Sequence, residues 1–289
     1  MPMGATTLPE EVESFRDRSW RRDPENRIEN CAEAERFIDS VGFCASMTDY
    51  RRPGPSLFIA VCGRRDAHMP RNVQKDPESR LTWQIKDDLL RRGRVYYGKL
   101  IKGRSTFIAR RLLPHFHALW GLPSRTVERS LSTEAKAILR VLRREWEMGT
   151  RDLQEASGIA QRATLLRGLD ELQRTFKVIP SDVIYEPFTY VWTVVESRFQ
   201  EELSVSVSRE VALREVARAF LAGAGLTVRG ELARVTGLSA PDAGLGNWAL
   251  VDEDYASRLA PGVYRLKEFA ARDRGDSDTQ ARSHVAGLT

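Results

Sequence analysis

Residues 132–196 read STEAKAILRVLRREWEMGTRDLQEASGIAQRATLLRGLDELQRTFKVIPSDVIYEPFTYVWTVVE, and this stretch gives the clearest indication of the fold. Ser132 is a preferred helix N-cap, and apolar side chains recur after it at the spacing of one helical face. Those positions are Ala135, Ile138, Leu139, Leu142 and Trp146. A shorter helix is predicted between Thr150 and Gly158, and a third helix over 161–175. The stretch therefore begins with three consecutive helices.

Two segments rich in β-branched and aromatic residues follow the third helix directly. FKVIP occupies 176–180 and TYVWTVV occupies 189–195, with an eight-residue loop between them. They are predicted to form a pair of strands. A helix, a short helix, a third helix and a two-stranded wing come in the order of a winged helix-turn-helix.

The pattern begins again at Ser208, which is predicted to cap another helix. Leu153 and Gly158 stand at the same spacing as Leu232 and Gly237, which indicates an internal repeat. We expect this last copy to be irregular after Gly237, because the sequence there leaves little room for a full third helix. Any helix at that place would carry three consecutive acidic residues and would repel phosphate.

A further unit is predicted to precede residue 132. Asn30 and Glu33 form a variant of the capping box at the start of its first helix. A hairpin at 94–109, with its turn at Lys102 and Gly103, supplies the wing. The chain is therefore predicted to be α+β, mostly α, with three tandem winged helix-turn-helix units. The predicted boundaries are a flexible N-terminal tail over 1–29, units over 30–131, 132–200 and 201–272, and a flexible C-terminal tail over 273–289.

The composition argues against several classes of protein. No apolar run approaches the roughly 18 residues of a membrane-spanning helix, so we expect a cytoplasmic protein without membrane contact. The three cysteines lack CxxC spacing, which argues against a disulfide framework or a structural zinc site. His115 and His117 would point about 200° apart on a helix and could not share a metal ion. We expect neither a metal nor a cofactor.

Positive charge is concentrated in one part of the sequence. The whole chain carries a net charge of +5, whereas residues 51–131 hold eighteen Lys and Arg against six Asp and Glu, a net charge of +12. Such a local field attracts polyanions, and we expect these side chains to bind DNA phosphates. The candidates are Lys86, Arg91, Arg92, Arg94, Lys99, Lys102, Arg104, Arg110 and Arg111.

Aromatic residues lie among these cations. Tyr96 and Tyr97 are neighbours on a predicted strand, so we expect only one to point inward and the other to stack on a base. Tyr96 is included among the candidate DNA ligands. A second interpretation stays open, in which the charges are merely solvated and the aromatic rings face the protein's own core.

The third helix of the 132–200 unit is the one that enters a major groove in other helix-turn-helix proteins. Arg162 and Arg167 are among its outward positions and are candidate DNA ligands. The loop of its wing contains Asp182 and Glu186 but no Lys or Arg. The helix is therefore as well suited to packing against a neighbouring unit as to binding DNA.

Three stretches together resemble the bacterial AlkZ/YcaQ-like winged-helix proteins, and in particular their divergent AlkZ-related branch. They are AERFIDSVGFCASM at 34–47, TWQIKDDLLRRGRVYYGKLIKGRSTFIARRLLPHFHAL at 82–119, and the repeated units after Ser132. Members of the founding branches are DNA-repair glycosylases that unhook alkylated bases and interstrand crosslinks. The resemblance implies tandem winged helices around a positively charged concave channel for duplex DNA.

The catalytic pattern of those enzymes is Gln-x-Gln or Gln-x-Asp after the first helix, where it positions a water for attack at the sugar. With Gly42 aligned to the family glycine, Ala45 and Met47 occupy the two catalytic places. Neither side chain can orient or deprotonate water. The resemblance therefore implies a DNA-binding architecture whose catalytic motif is degenerate.

Three functions remain open from the sequence. The first is a non-enzymatic protein that binds duplex or damaged DNA. The second is a DNA glycosylase in which an acidic residue brought in by the fold replaces the missing pair. The third is a protein-interaction module, which the neutral 132–200 unit and the acidic residues near Asp252 favour. No P-loop, GxSxG, GxGxxG or HExxH motif indicates another chemistry.

Overall fold

The computed structural model describes residues 8–123, 126 and 129–269. The fold is mostly helical with small antiparallel sheets, as the sequence predicted at the level of α+β class. The region before residue 123 contains five α-helices and three strands. They are α1 (Glu10–Trp20), α2 (Cys31–Val41), β1 (Phe43–Ala45), α3 (Leu57–Cys62), α4 (Pro77–Arg92), β2 (Val95–Ile101), β3 (Arg104–Ala109) and α5 (Leu113–Trp120).

The local signals of this first region are confirmed. The Asn30 side chain accepts a hydrogen bond from the Glu33 backbone N–H and caps α2. Helix α4 ends at Gly93, whose left-handed φ of 60° closes the last turn without a Cβ penalty. The hairpin turns at Lys102 and Gly103, as the sequence predicted.

The middle region adds four helices and three strands: α6 (Thr133–Glu145), β4 (Glu147–Gly149), α7 (Thr150–Ala156), α8 (Arg162–Arg174), β5 (Val178–Tyr185), β6 (Phe188–Val194) and α9 (Glu196–Ser204). Ser132 caps α6 as predicted. The prediction of an eight-residue loop between the strands is wrong. β-Branched Val183 and Ile184 continue the pairing with β6, so only Glu186 and Pro187 form the turn.

The last region contains α10 (Arg209–Ala224), β7 (Leu226–Thr227), α11 (Glu231–Thr236), α12 (Ala240–Asp252), β8 (Ala256–Ala260) and β9 (Val263–Leu266). The prediction of an irregular chain after Gly237 is wrong, because α12 is a full helix of 13 residues that Ser239 caps. One of its two glycines, Gly246, serves close packing. A Cβ at Gly246 would lie 2.5 Å from the Leu213 carbonyl oxygen of α10, so only glycine permits this approach.

The three sheets share one topology. Their strand orders are β1-β3-β2, β4-β6-β5 and β7-β9-β8. In each sheet a short strand that follows a helix pairs with the second strand of a hairpin, and all pairs are antiparallel. The repeat that the sequence indicated is therefore present in the pairing of the strands.

Two large apolar cores hold these elements. One core joins α1, the first region and the last region, and it receives Phe176 and Phe199 from the middle region. The other core lies within the middle region and is built mainly by α6, α7 and α8. No helix in the described parts of the chain has both the length and the apolar character needed to cross a membrane.

The flexible tail expected over 1–29 needs correction for the residues that the structure describes. Helix α1 packs against the last region through Val12, Arg16 and Trp20, which are buried. The helix was not predicted from the spacing of apolar residues because one residue of its buried face, Arg16, is charged. The C-terminal tail expected over 273–289 lies outside the described residues.

Arg16 is the buried anchor of α1. Its Nη1 lies 2.9 Å from Glu231 Oε1, and both side chains are about 5% exposed. Its other guanidinium nitrogens donate to the backbone carbonyl oxygens of Ala224 at 3.1 Å and Leu226 at 2.7 Å. The N–H groups along the edges of the guanidinium thus donate to a carboxylate and to two carbonyl oxygens, which offsets the cost of burying the charge.

Replacing Arg16 with Met leaves Glu231 buried without its partner. We expect the free energy of unfolding, measured in urea by circular dichroism, to fall by about 3–5 kcal/mol. Arg18→Met, on the exposed face of the same helix, should change it by less than about 0.5 kcal/mol. Adding Glu231→Leu to Arg16→Met should restore part of the loss, because no buried charge then remains. Equal effects of the two Arg variants would contradict the anchoring role.

Candidate nucleic-acid interface

Most of the predicted phosphate ligands already have carboxylate partners. Their ion pairs are Arg91 with Asp88 and Asp182, Arg92 and Arg94 with Glu35, Lys99 with Asp170, Arg110 with Glu202, and Arg111 with Asp39, at distances of 2.5–3.6 Å. Several partners belong to the middle region, so these cations connect parts of the protein. Because their charge is compensated, the uncompensated positive charge covers a smaller surface than the net charge of +12 over residues 51–131 indicated.

Tyr96 cannot contact a base, which corrects its assignment as a DNA ligand. It is fully buried, and its ring stacks on Phe176 with centroids 4.7 Å apart. Tyr97 is also buried. The expectation that only one of these neighbours points inward is wrong, because protein covers both faces of this sheet.

Lys86 is buried as well and does not lie on the open surface. Its Nζ lies 2.5 Å from Asp87 Oδ1 and donates to Tyr190 Oη at 3.2 Å. The ammonium is thus held inside the protein, at the wall of a cavity. A phosphate could reach it only by entering that cavity.

Arg162 and Arg167 lie on exposed positions of α8, as predicted. Arg167 donates a hydrogen bond to Thr164 Oγ1 at 2.9 Å. Neither has a carboxylate within ion-pair distance among residues 8–123, 126 and 129–269. Whether they bind DNA stays a prediction.

The fold brings together four further cations, each of which lacks a carboxylate partner in the described part of the chain. They are Arg52, Lys102, Arg104 and Arg174, and we call them the hairpin-tip patch. A Cβ on Gly103 would lie 3.3 Å from Arg174 Nη2, so α8 ends against the tip of the β2–β3 hairpin. A Cβ on Gly237 would lie 3.4 Å from Lys102 Cγ, which places the last region against the same tip.

Arg52 and Arg104 complete this patch beside the tip. Both line the same cavity. Burial, followed by the charge of Arg52, lowers the pKa of Arg104 below its ordinary value. Uncompensated like charges held this close repel one another, and a bound anion would relieve that repulsion.

The cavity next to the patch has a volume of about 460 Å³ and opens to solvent. We call it the central cavity. It lies where the chain leaves β1, between the segment 46–52, helix α4 and strand β6. Its lining combines aromatic rings, cations and one carboxylate: Ser46, Met47, Thr48, Asp49, Arg51, Arg52, Met69, Trp83, Lys86, Tyr97, Arg104, Ser105 and Tyr190. A cavity of this size is within the range that accommodates small organic groups.

Asp49 is the only carboxylate in that lining. Its side chain is 6% exposed, whereas its partner Arg51 is 65% exposed. Arg51 Nε donates to both Asp49 oxygens at 3.1 and 3.0 Å, and the Met69 backbone N–H donates at 3.3 Å. Hydrogen bonding by Arg51 is the main reason that the pKa of Asp49 lies below its usual range. The cavity therefore presents an ionised carboxylate at neutral pH.

Two tyrosines form another wall of the central cavity. Burial raises the pKa of Tyr97 to about 12, and burial followed by the Asp87 charge raises the pKa of Tyr190. Both phenols therefore stay protonated at neutral pH. The Lys86 ammonium lies 5.1 Å from the Tyr190 ring centroid, in addition to its hydrogen bond to the hydroxyl. This wall offers flat apolar surface together with hydrogen-bond donors.

The two positions aligned with the catalytic pair lie close to this cavity. Met47 is part of its lining, while Ala45 ends β1 and pairs with Thr106. The apolar thioether and methyl groups cannot activate water. No group of His, Cys, Asp and Glu side chains in the described chain is arranged to bind a metal ion.

Asp49, Arg52 and Arg174 were missed as candidates from the sequence. Asp49 stands two residues after Met47, so extending the comparison by one more alternate position would have found it. Arg52 lies within the positively charged residues 51–131 but before the predicted hairpin at 94–109, and it was not among the candidates. Arg174 comes from the middle region, and nothing in the sequence indicates that it reaches the hairpin.

The family profile described as AlkZ related matches residues 28–202, more than half of the chain. The chain belongs to the AlkZ-related family. The resemblance inferred from the sequence is thereby confirmed. Among solved structures, the Streptomyces sahachiroi DNA glycosylase AlkZ superposes with a TM-score of 0.58 at 13% identity, covering 93% of this chain and 72% of that one. At this identity the likeness establishes the AlkZ-like fold. No curated protein sequence matches the chain.

Replacing Arg51 with Ala in this AlkZ-related protein should raise the pKa of Asp49, because its largest stabilising hydrogen bonds are lost. A ¹³C NMR titration of the aspartate carboxyl groups measures this directly. The lowered pKa stabilises the fold above the unfolded-state pKa of about 3.9, and that contribution is lost as the pH falls through the folded-state pKa. The wild type should therefore lose more stability on acidification than Arg51→Ala. Arg52→Ala is the control, and an unchanged Asp49 pKa in Arg51→Ala would contradict this account.

Proposed function

We propose that this AlkZ-related protein binds duplex DNA, including damaged duplexes, through the hairpin-tip patch. The observation that carries the proposal is a group of cations without carboxylate partners in the described chain: Lys102 and Arg174 lie at the hairpin tip, and Arg52 and Arg104 line the adjoining central cavity. Family membership and the fold shared with a DNA glycosylase agree with it. Such a protein would act on DNA in the cytoplasm.

The chemistry of the patch suits phosphate. Arginine presents its donors in a planar fork that matches two phosphate oxygens, while lysine supplies a mobile point charge. Releasing condensed counterions from the DNA then makes the affinity depend on salt. The paired cations of α4 contribute less, because binding phosphate there would require breaking ion pairs with Asp88, Asp182 or Glu35.

We further propose that each sheet and its helices form one winged-helix unit, with boundaries near 30–131, 132–200 and 201–272. The recurring strand order supports this division. The hairpin-tip patch then lies where the units meet, since the tip contacts Arg174 of the middle unit and Gly237 of the last. Arg162 and Arg167, on the third helix of the middle unit, would extend the DNA contact.

A salt series with a labelled duplex tests the binding proposal. We expect the affinity of the wild type for the duplex to fall steeply as the salt concentration rises. In a plot of log affinity against log salt, each phosphate contact that is removed should reduce the magnitude of the slope by about 0.9. The triple variant Arg52→Ala/Lys102→Ala/Arg104→Ala should therefore have a slope smaller by about 2–3. The matched variant Arg91→Ala/Arg92→Ala, which removes ion-paired cations, should change the slope by less than about 1.

Binding that is absent or indifferent to salt would contradict DNA binding through this patch. Equal loss in the two variants would show that the ion-paired cations contribute as much as the unpaired ones. Fluorescence anisotropy supplies the affinities, and thermal unfolding by circular dichroism confirms that each variant is folded.

A second candidate function, DNA glycosylase, is favoured by the position of Asp49. The fold brings an ionised carboxylate into the central cavity, where the aligned positions Ala45 and Met47 offer none. In such a reaction water attacks the sugar C1′, the C–N bond breaks, and its electron pair leaves with the base. Asp49 would orient that water and accept its proton. An alkylated base that carries positive charge needs no further proton to depart.

Incubation with alkylated DNA, followed by alkaline cleavage of abasic sites, tests this candidate. If the wild type excises bases, Asp49→Asn should be slower by about 100-fold or more, because the amide cannot accept the proton. The same variant should bind the duplex as well as the wild type does. Excision that survives in Asp49→Asn would exclude Asp49 as the catalytic group. If the wild type produces no abasic sites, the glycosylase function is excluded and the DNA-binding proposal stands alone.

A further inference from the structure

The tip of the β5–β6 hairpin exposes three large apolar side chains. Ile184, Tyr185 and Phe188 are 47, 56 and 58% exposed. They flank the two-residue turn, and residues 182–190 include Asp182 and Glu186 but no Lys or Arg. A wing that contacts phosphates would carry cations. This wing is therefore suited to a flat apolar group and not to a phosphate backbone.

The exposed rings are the outer end of a row of aromatic side chains. Phe188, Tyr190 and Trp192 alternate along β6 and share one face of the sheet. Ring centroids lie 6.0 Å apart for Tyr185 and Phe188, 5.6 Å for Phe188 and Tyr190, and 5.7 Å for Tyr190 and Trp192. Tyr190 is also a wall of the central cavity. The row thus leads from the exposed tip to that cavity.

A groove of about 610 Å³ lies between this wing and helix α4, and we call it the wing groove. Trp83 lines both the wing groove and the central cavity, so the two spaces adjoin at this residue. Gln74 and Gln84 contribute amide donors and acceptors, and Arg80 contributes a cation without an ion-pair partner in the described chain.

The carboxylates of the wing groove do not repel an anionic strand strongly. Asp88 pairs with Arg91 at 3.1 Å. Asp87 pairs with Lys86 at 2.5 Å and accepts a hydrogen bond from the Tyr185 hydroxyl. The last contact also holds the Tyr185 hydroxyl against α4, while 56% of the residue stays exposed. The charge of Asp87 is therefore compensated by a buried partner, and the charge of Asp88 by a partner at the surface.

We propose that the wing groove binds bases that have left the helical stack, with Tyr185 and Trp83 of its lining as stacking surfaces and with exposed Phe188, the ring neighbour of Tyr185, extending that surface at the rim. The preferred DNA is then a duplex that contains an unpaired nucleotide. The inference rests on the proposed DNA-binding function and specifies its substrate class. A nucleobase is the occupant because the groove combines flat rings with amides and shares Trp83 with the central cavity, which Arg52 and Arg104 of the hairpin-tip patch also line. Strand and base would then be held on adjoining surfaces.

Two labelled duplexes of identical sequence, one with a single unpaired adenine, test the proposal by fluorescence anisotropy. We expect the wild type to bind the duplex with the unpaired base about tenfold more tightly. In Tyr185→Ala/Phe188→Ala this preference should fall to within about twofold, while affinity for the paired duplex changes by less than about twofold. Trp248→Ala is the matched control, because Trp248 is a 43% exposed aromatic residue on α12 that does not line the wing groove. This variant should keep the preference for the duplex with the unpaired base.

A second readout reports stacking itself. We expect 2-aminopurine at the unpaired position to lose fluorescence on binding the wild type and to keep it with the double variant. Failure of the wild type to bind either DNA would overturn the proposed function. Salt-dependent binding without any preference, or a preference that survives the double variant, would overturn only the assignment of the wing groove. Thermal unfolding verifies that the double variant is folded.

Discussion

The stacking of Tyr96 on Phe176 is the contact on which the arrangement of the first two regions depends. Tyr96 lies in the basic hairpin, and Phe176 follows α8, where it adopts a left-handed φ of 58°. That backbone conformation is unfavourable for a bulky residue and persists because the ring is fully buried. Docking the hairpin here brings Arg174 to its tip. It also sets the middle sheet beside α4, which makes Tyr190 a wall of the central cavity.

Two groups among the basic residues of this protein have different physical roles. Arg91, Lys99 and Arg110 face carboxylates of the middle region and join one part of the fold to another. Arg52, Lys102, Arg104 and Arg174 have no such partner in the described chain and remain available to an external anion. Net charge therefore overstates the positive charge open to an external anion, because the cations of the first group are already compensated within the fold.

Local signals predicted the elements well, and contacts between distant residues account for most of the differences. The caps at Asn30 and Ser132 and the turn at Lys102 and Gly103 act within a few residues, so the sequence shows them directly. Helix α12 was missed because its glycines resemble a loop until the neighbouring helix is known. Helix α1 was missed because Arg16 becomes a buried residue only through Glu231, 215 positions later. The ion pairs and the cavity carboxylate likewise depend on tertiary neighbours.

The division of the apolar cores has a consequence for how the chain acquires its structure during synthesis. The core of the first region is completed by α10 and the last sheet, whereas the middle region encloses a core of its own. The middle region can become compact as soon as it leaves the ribosome. The first region, although made earlier, keeps apolar surface uncovered until the last sheet, which ends at Leu266, has been translated, so it is the segment most in need of chaperone protection.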